Sequence, residues 1–298
     1  MAKIIECVPN ISEGCNKKVI DEIAYTVTGL PNVKLADYSS DIDHNRSVFT
    51  MFGTPDALED AIIRFTKKVI ELIDLTKHKG VHPRMGAVDV IPFIPIKEAT
   101  MNDAILLSKR VASRIWNEFG LPTFLYEHSA SAPHRVNLAA IRKGQFEGMS
   151  EKMQQPEWEP DFGNRNIHPT AGVTAVGARM PLIAFNINLS TSDVKIADNI
   201  AKIIRYSSGG FEGVKAIGIL LRSRNIAQVS INMTRPDITP LYKVVEAVRI
   251  EAAKYGVSII GTEIIGLTPM QALADCSEYY LKLENFDKNK QIIENHLW

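Results

Sequence analysis

Residues 46–72, RSVFTMFGTPDALEDAIIRFTKKVIEL, decide the fold. Arg46–Phe52 reads as a strand. Thr54-Pro55 then stands where a helix opens, with threonine as N-cap and proline at the first helical position, where a missing N–H costs nothing. Leu58, Ile62, Phe65, Val69 and Leu72 recur at helical spacing and share one face. Lys77, His78 and Lys79 suit the negative end of such a helix and Gly80 its C′ position, so the pattern predicts a helix that continues to this point. His82 precedes Pro83, which pushes it out of helical space. Ala87–Ile94 follows as a short buried strand, leaving His82 in a tight helix-to-strand loop.

Outward from this stretch, Lys3–Val8 reads as a strand with Pro9-Asn10 as its exit. Val19, Ile20, Ile23, Ala24 and Val27 give a helix closed by Gly29 and Pro31, and Val33–Tyr38 is a strand. The order is β-α-β-β-α-β. The second half restates it: strand Leu182–Leu189, helix Asp193–Tyr206, strands Lys215–Leu221 and Ala227–Met233, a helix opened by Thr239-Pro240 and ended by Gly256, and strand Val257–Ile260. Each half places a Thr-Pro helix start directly after its third strand. This is the ferredoxin-like motif, with helices on one face of a sheet. The fold class is therefore α/β (α+β): two ferredoxin-like βαββαβ subdomains, 1–178 and 179–298, packed around a central cleft or tunnel. Between the repeats, Thr100 and Asp103 resemble a capping box for a helix to about Phe119, Thr123–Tyr126 is a strand, and His128–Gly148 is mixed and partly helical. Residues 150–171 lose all periodicity and read as a linker or binding loop crossing the cleft.

The 298 residues carry 34 basic and 34 acidic side chains, so no global field draws nucleic acid or an anionic membrane, and any anion site must be local. Cys7, Cys15 and Cys276 show no CxxC and leave one unpaired, which favours a reducing compartment over a disulfide framework. No apolar run is long enough for a membrane span and no signal-peptide h-region is present, so the reading is a soluble cytoplasmic protein.

His78 and His82 have the spacing of a zinc pair, but Gly80 and Pro83 break the helix that would align them, and no cysteine or HExxH cluster accompanies them; no metal is expected. His82 could act as a general acid/base, since imidazole titrates near pH 6.5, or could be a solvated loop histidine. Arg84 could clamp a carboxylate or simply face water. Asp89 could orient a base or bond backbone. His134-Arg135, Arg142-Lys143, Arg165 and Arg179 add positive charge. GxSxG, Walker A and GxGxxG signatures are absent.

At residues 78–95, HKGVHPRMGAVDVIPFIP, the chain resembles the glutamate formimidoyltransferase family, without the cyclodeaminase domain of the animal bifunctional enzymes. ECVPNISEG at 6–14, the DxxxxxxxNR pattern from Asp37 to Arg46, EWEPDFG at 157–163, GARMPLIAFNINL at 177–189 and NIAQVSINM at 225–233 carry the same resemblance in order. The resemblance implies that His82 is the catalytic general acid/base. It implies a folate-binding loop at Gly163, Asn164, Arg165, Asn166, Ile167, His168, Pro169, Thr170, Ala171 and Gly172, with tetrahydrofolate as co-substrate, and a homodimer. The expected reaction moves the formimino group of N-formimino-L-glutamate to N5 of tetrahydrofolate. Asn10, Asp37, Arg46 and Arg84 are candidate substrate-binding residues. Two rivals are a same-fold folate enzyme using 5-formyltetrahydrofolate and a non-catalytic folate-binding module; a zinc hydrolase is a third.

Overall fold

The computed structural model describes residues 2–42, 44–80, 82–222 and 224–296; Asp43, between the expected strands Val33–Tyr38 and Arg46–Phe52, and Val81 lie outside it. The chain divides into two compact units, 1–179 and 180–298.

Unit 1 runs β1 (Ile4–Cys7), β2 (Asn10–Ile11), α1 (Lys17–Tyr25), β3 (Val33–Asp41), β4 (Arg46–Gly53), α2 (Pro55–Leu72) and β5 (Val88–Lys97). It continues with α3 (Met101–Phe119), β6 (Thr123–Glu127), α4 (Leu138–Arg142), α5 (Gln145–Lys152) and β7 (Thr174–Ala178). β3, β4, β1/β2 and β5 pair antiparallel in that spatial order, the ferredoxin-like arrangement. The sheet then goes beyond the motif: β7 adds to β5 in parallel and β6 to β7 in parallel. The spacing missed β7, because TAVGA has small residues and little β-branched content. Its burial follows from its central position between β5 and β6.

Capping explains the helix starts. Thr54 takes an extended N-cap conformation before Pro55, although its side chain makes no cap bond, and Asp56 favours the positive end of α2. Thr100 and Asp103 form the expected capping box on α3, which stops at Gly120 in the left-handed region. Leu58, Ala61, Ile62, Phe65 and Val69 of α2 join Ile20 and Ile23 of α1 and Leu107, Val111 and Ile115 of α3 in one core on a single face of the sheet. A second cluster joins Met85, Val90, Phe124, Tyr126, Val173 and Ala175 to Ile141 of α4 and Met149 of α5. Every residue of β5 from Val88 to Ile94 is consequently buried, which is why this strand reads as a continuous apolar run with a single acid in it.

α2 ends at Leu72, not at Lys79. Ile73 is already extended, and Asp74 then accepts bonds from the backbone and hydroxyl of Thr76, an Asx-type turn that competes with helix. Gly80 is not a C′ residue. A Cβ there would lie 2.6 Å from the His44 carbonyl oxygen, so glycine is needed for close approach of two backbone segments.

Unit 2 contains β8 (Ile183–Leu189), α6 (Val194–Ile204), β9 (Val214–Leu221), β10 (Ile226–Met233), α7 (Leu241–Ala253), β11 (Ile259–Ile265) and α8 (Met270–Leu281). The sheet order β11-β8-β10-β9, antiparallel throughout, repeats the ferredoxin-like motif. Ala227, Val229, Ile231 and Met233 alternate along β10 and join the helices in the core of this unit. Pro240, not Thr239, is the N-cap of α7, and α8 was not foreseen. No helix among the described residues is long and apolar enough to cross a membrane.

Candidate active site

The loop from Ile73 to Ala87 is held from several sides. Leu75 N donates to Thr170 O, Ala87 N to Ala171 O, and Val173 N to Met85 O. His78 is a bridge and not a helix-end residue: its Nε2 lies 3.0 Å from Asn45 O and its Nδ1 accepts from Arg84 Nε. Arg84 reaches over to Glu147 with two nitrogens, at 2.9 and 2.6 Å, and its backbone carbonyl accepts from Phe146 N. This pairing holds the Glu147 carboxyl below its usual range. α4 and α5 are thereby drawn across the loop, and His82 becomes buried instead of solvated.

Beneath that cover His82 Nε2 lies 3.4 Å from Asp89 Oδ2. Asp89 is 1% exposed, on β5. Its Oδ1 accepts from Met85 N at 2.8 Å, and its Oδ2 also meets a terminal nitrogen of Arg142 at 2.5 Å. Burial pushes the Asp89 carboxyl up, but the Arg142 charge and the bonds from His82 and Met85 outweigh it, so it stays below the usual range and ionised at neutral pH. An acceptor-only carboxylate fixes the His82 proton on Nε2 and leaves the basic lone pair on Nδ1.

Burial lowers the His82 pKa; Asp89 raises it, and the charges of Arg46 and Arg142 lower it again, with a net downward shift. α2 ends at Leu72, well short of the loop, so its negative end does not offset that shift. The downward shift favours the neutral imidazole, and Asp89 fixes its orientation.

Arg46, from the start of β4, completes the group. It donates to Asn10 Oδ1, and Asn10 in turn donates from Nδ2 to Val8 O at 2.9 Å, so the break between β1 and β2 serves to aim an arginine. Asn10, Arg46, His82, Asp89 and Arg142 thus converge from β2, β4, the loop, β5 and α4. Asp37 is not brought here: it is exposed on β3, opposite Thr50 of β4. Arg84 is adjacent but fully engaged by Glu147, Gln145 and His78. Arg142 carried no sequence signal beyond its charge, being sixty positions from His82 in a stretch of mixed pattern.

The 163–172 segment divides in two. His168 and Gly172 exchange backbone bonds, His168 Nδ1 accepts from Ala171 N, and Ala171 is buried in the main core. Burial lowers the His168 pKa. Gly172 sits at φ +70°, and a Cβ would meet Met85 O at 2.2 Å, so glycine is required where the segment crosses the His82 loop. Arg165 pairs with Glu159 at 3.0 Å, and Asn164 caps Asn166 N. Just upstream, Arg135 clamps EWEPDFG by donating to Asp161 and to the carbonyls of Glu157 and Glu159. No cluster of metal-ligating side chains occurs among the described residues.

Two family descriptions match in tandem: "Formiminotransferase domain, N-terminal subdomain" over residues 4–179 and "Formiminotransferase domain" over 184–296. The chain belongs to the formiminotransferase family. Among its relatives, the glutamate formimidoyltransferase of Streptococcus pyogenes serotype M1 is 57% identical, covering 100% of this chain and 99% of the relative. That of Thermoplasma acidophilum is 41% identical over 96% and 94%. The formimidoyltransferase-cyclodeaminase of Gallus gallus is 40% identical over 95% of this chain but 53% of its own length. Within the formiminotransferase family frame, the two subdomain matches correspond to the two compact units.

Proposed function

We propose that this chain is a glutamate formimidoyltransferase that moves the formimino group of N-formimino-L-glutamate to N5 of tetrahydrofolate, with His82 as the general acid/base. The observation that carries the proposal is a buried, neutral histidine held by an ionised aspartate, in a chain 57% identical to a relative named for this transfer.

The chemistry needs one proton moved. N5 attacks the formimino carbon and must lose its hydrogen; the C–N bond to glutamate breaks and that nitrogen must gain one. His82 Nδ1 takes the proton from N5, Asp89 stabilises the imidazolium, and the same proton passes to the departing glutamate nitrogen. The books balance with no external acid or base, giving L-glutamate and 5-formiminotetrahydrofolate. Positioned proton transfer of this kind contributes about 10²–10⁴-fold. Burial sets the base in its neutral form at pH 7, which suits proton abstraction.

Residues 163–172 are the proposed folate-binding loop, since their backbone is bonded directly to the His82 loop and Asn164 and Asn166 in their first half are exposed. The same reading places the enzyme in histidine degradation and one-carbon metabolism, as a cytoplasmic homodimer. The test supplies tetrahydrofolate with formiminoglutamate or, separately, L-glutamate with 5-formyltetrahydrofolate, and follows the release or consumption of L-glutamate. Turnover is expected with formiminoglutamate, and His82→Ala is expected to fold normally and lose about 10²–10⁴-fold in kcat. Near-wild-type turnover by that variant would refute the role of His82, and turnover with the formyl donor alone would refute the donor.

A further inference from the structure

Arg46 and Arg142 share an unusual condition. The Nε of each is buried, and no acceptor among the described residues bonds to it. Buried N–H groups are almost always paired, more so on a charged guanidinium, and two orphans on neighbouring arginines mark a place where something else accepts. The remaining contacts are fixed: Arg46 is aimed by Asn10, and Arg142 is locked on Asp89. Among Arg46, Arg142, Asp89 and the neutral His82, guanidiniums outnumber carboxylates two to one. Asp41, at the end of β3, acts on Arg46 only as the weakest influence.

Resting on the reading of the chain as a glutamate formimidoyltransferase, we propose that Arg46 and Arg142 together form the site for the α-carboxylate of the amino-acid donor, with Arg142 the residue that selects for it. The α-carboxylate and not the side-chain carboxylate is assigned because it sits one carbon from the nitrogen that leaves, and both arginines adjoin the His82–Asp89 pair that must serve that nitrogen. A guanidinium Nε–H aimed at a carboxylate makes a charge-assisted bond whose planar geometry an ammonium does not reproduce. Arg84 and Arg165 are excluded, since Glu147 and Glu159 already occupy them.

Occupancy has an electrostatic consequence for the base. In the free protein His82 feels Asp89 from β5 against Arg46 from β4 and Arg142 from α4, on top of its burial. A carboxylate against the two arginines cancels part of their field, so imidazolium is easier to form when donor is bound. The base strengthens when its substrate arrives.

L-glutamate and 4-aminobutyrate differ only in the α-carboxylate, and their binding to the full chain by calorimetry tests the site without needing turnover. The wild type is expected to favour L-glutamate at least tenfold. Arg142→Lys keeps a charge opposite Asp89 but has no Nε–H, and is expected to bring that ratio to within threefold; Arg46→Lys, which leaves the Asp89 ion pair untouched, supplies the same measurement should the first variant fold poorly. The His82 titration, followed by NMR, is expected to move upward on saturation with L-glutamate in the wild type and much less in the folded variant. A wild-type ratio near one, or a ratio unchanged in a folded variant, overturns the proposal. Loss of transfer activity in the wild type with the ratio behaving as expected would instead sink the transfer reading and leave the carboxylate site standing.

Discussion

Asp89→Asn isolates what the buried carboxylate does for His82. The side chain keeps its shape, and an amide oxygen can still accept from Met85 N, as Oδ1 does at 2.8 Å. What changes is the other oxygen, which holds both His82 and Arg142. An amide NH2 in its place donates to His82 Nε2, which drives the imidazole proton to Nδ1, the atom proposed as the base. Loss of the correct tautomer costs about 10²–10⁴-fold in kcat, by analogy with histidine–aspartate pairs in general. Arg142, with its side chain 17% exposed, also loses its counter-ion. Removing one partner of a buried pair costs about 3–5 kcal/mol, and at roughly 2–4 °C per kcal/mol the melting temperature should fall by roughly 6–20 °C. Transfer kinetics below the melting transition, a thermal scan and the nitrogen shifts of His82 read these three effects separately. A folded Asp89→Asn enzyme with kcat within threefold of wild type and its proton still on Nε2 would refute the tautomer argument.

Gly80→Ala should be destabilising without touching a catalytic group, because its Cβ would meet His44 O at 2.6 Å and Asn45 Cβ at 2.7 Å; a loss of about 1–3 kcal/mol is expected in denaturant titration. His82 and His168 both have pKa values lowered on folding, so the unfolded chain binds more protons than the native one just below pH 6.5. Their contribution is complete above the unfolded value and is lost as pH falls toward the lower folded values. Stability should therefore decline as pH falls below about 6.5, and less steeply in a His82→Gln, His168→Gln double variant. The acid limb of kcat/KM, which reports free enzyme, should lie below pH 6.5.

The architecture was legible where local chemistry and periodicity agreed. Thr54-Pro55 marked the start of α2 and Thr100–Asp103 that of α3, and the alternation of Ala227 to Met233 named the buried face of β10. It was illegible where a residue's role depends on a distant neighbour. Gly80 looks like any helix-stopping glycine until the His44 backbone lies against it. Thr239-Pro240 repeats the earlier dipeptide, yet the helix begins one residue later. In the site, His82 was prominent because of its Pro83 neighbour, and Asp89 as the one acid in an apolar strand. Arg142 was hidden, since only the folding of α4 across the loop gives it a partner. Asp37 and Arg84, marked by motif position, point elsewhere or are already engaged.

The backbone bonds from Leu75 to Thr170, Ala87 to Ala171 and Val173 to Met85 join the His82 loop and the 163–172 segment into one mechanical part. An engineer who replaces 163–172, the proposed acceptor loop, also resets the height and tilt of the imidazole. Conversely, insertions tolerated at the exposed Asn164 should become intolerable past His168, so a library that varies this segment belongs before that residue.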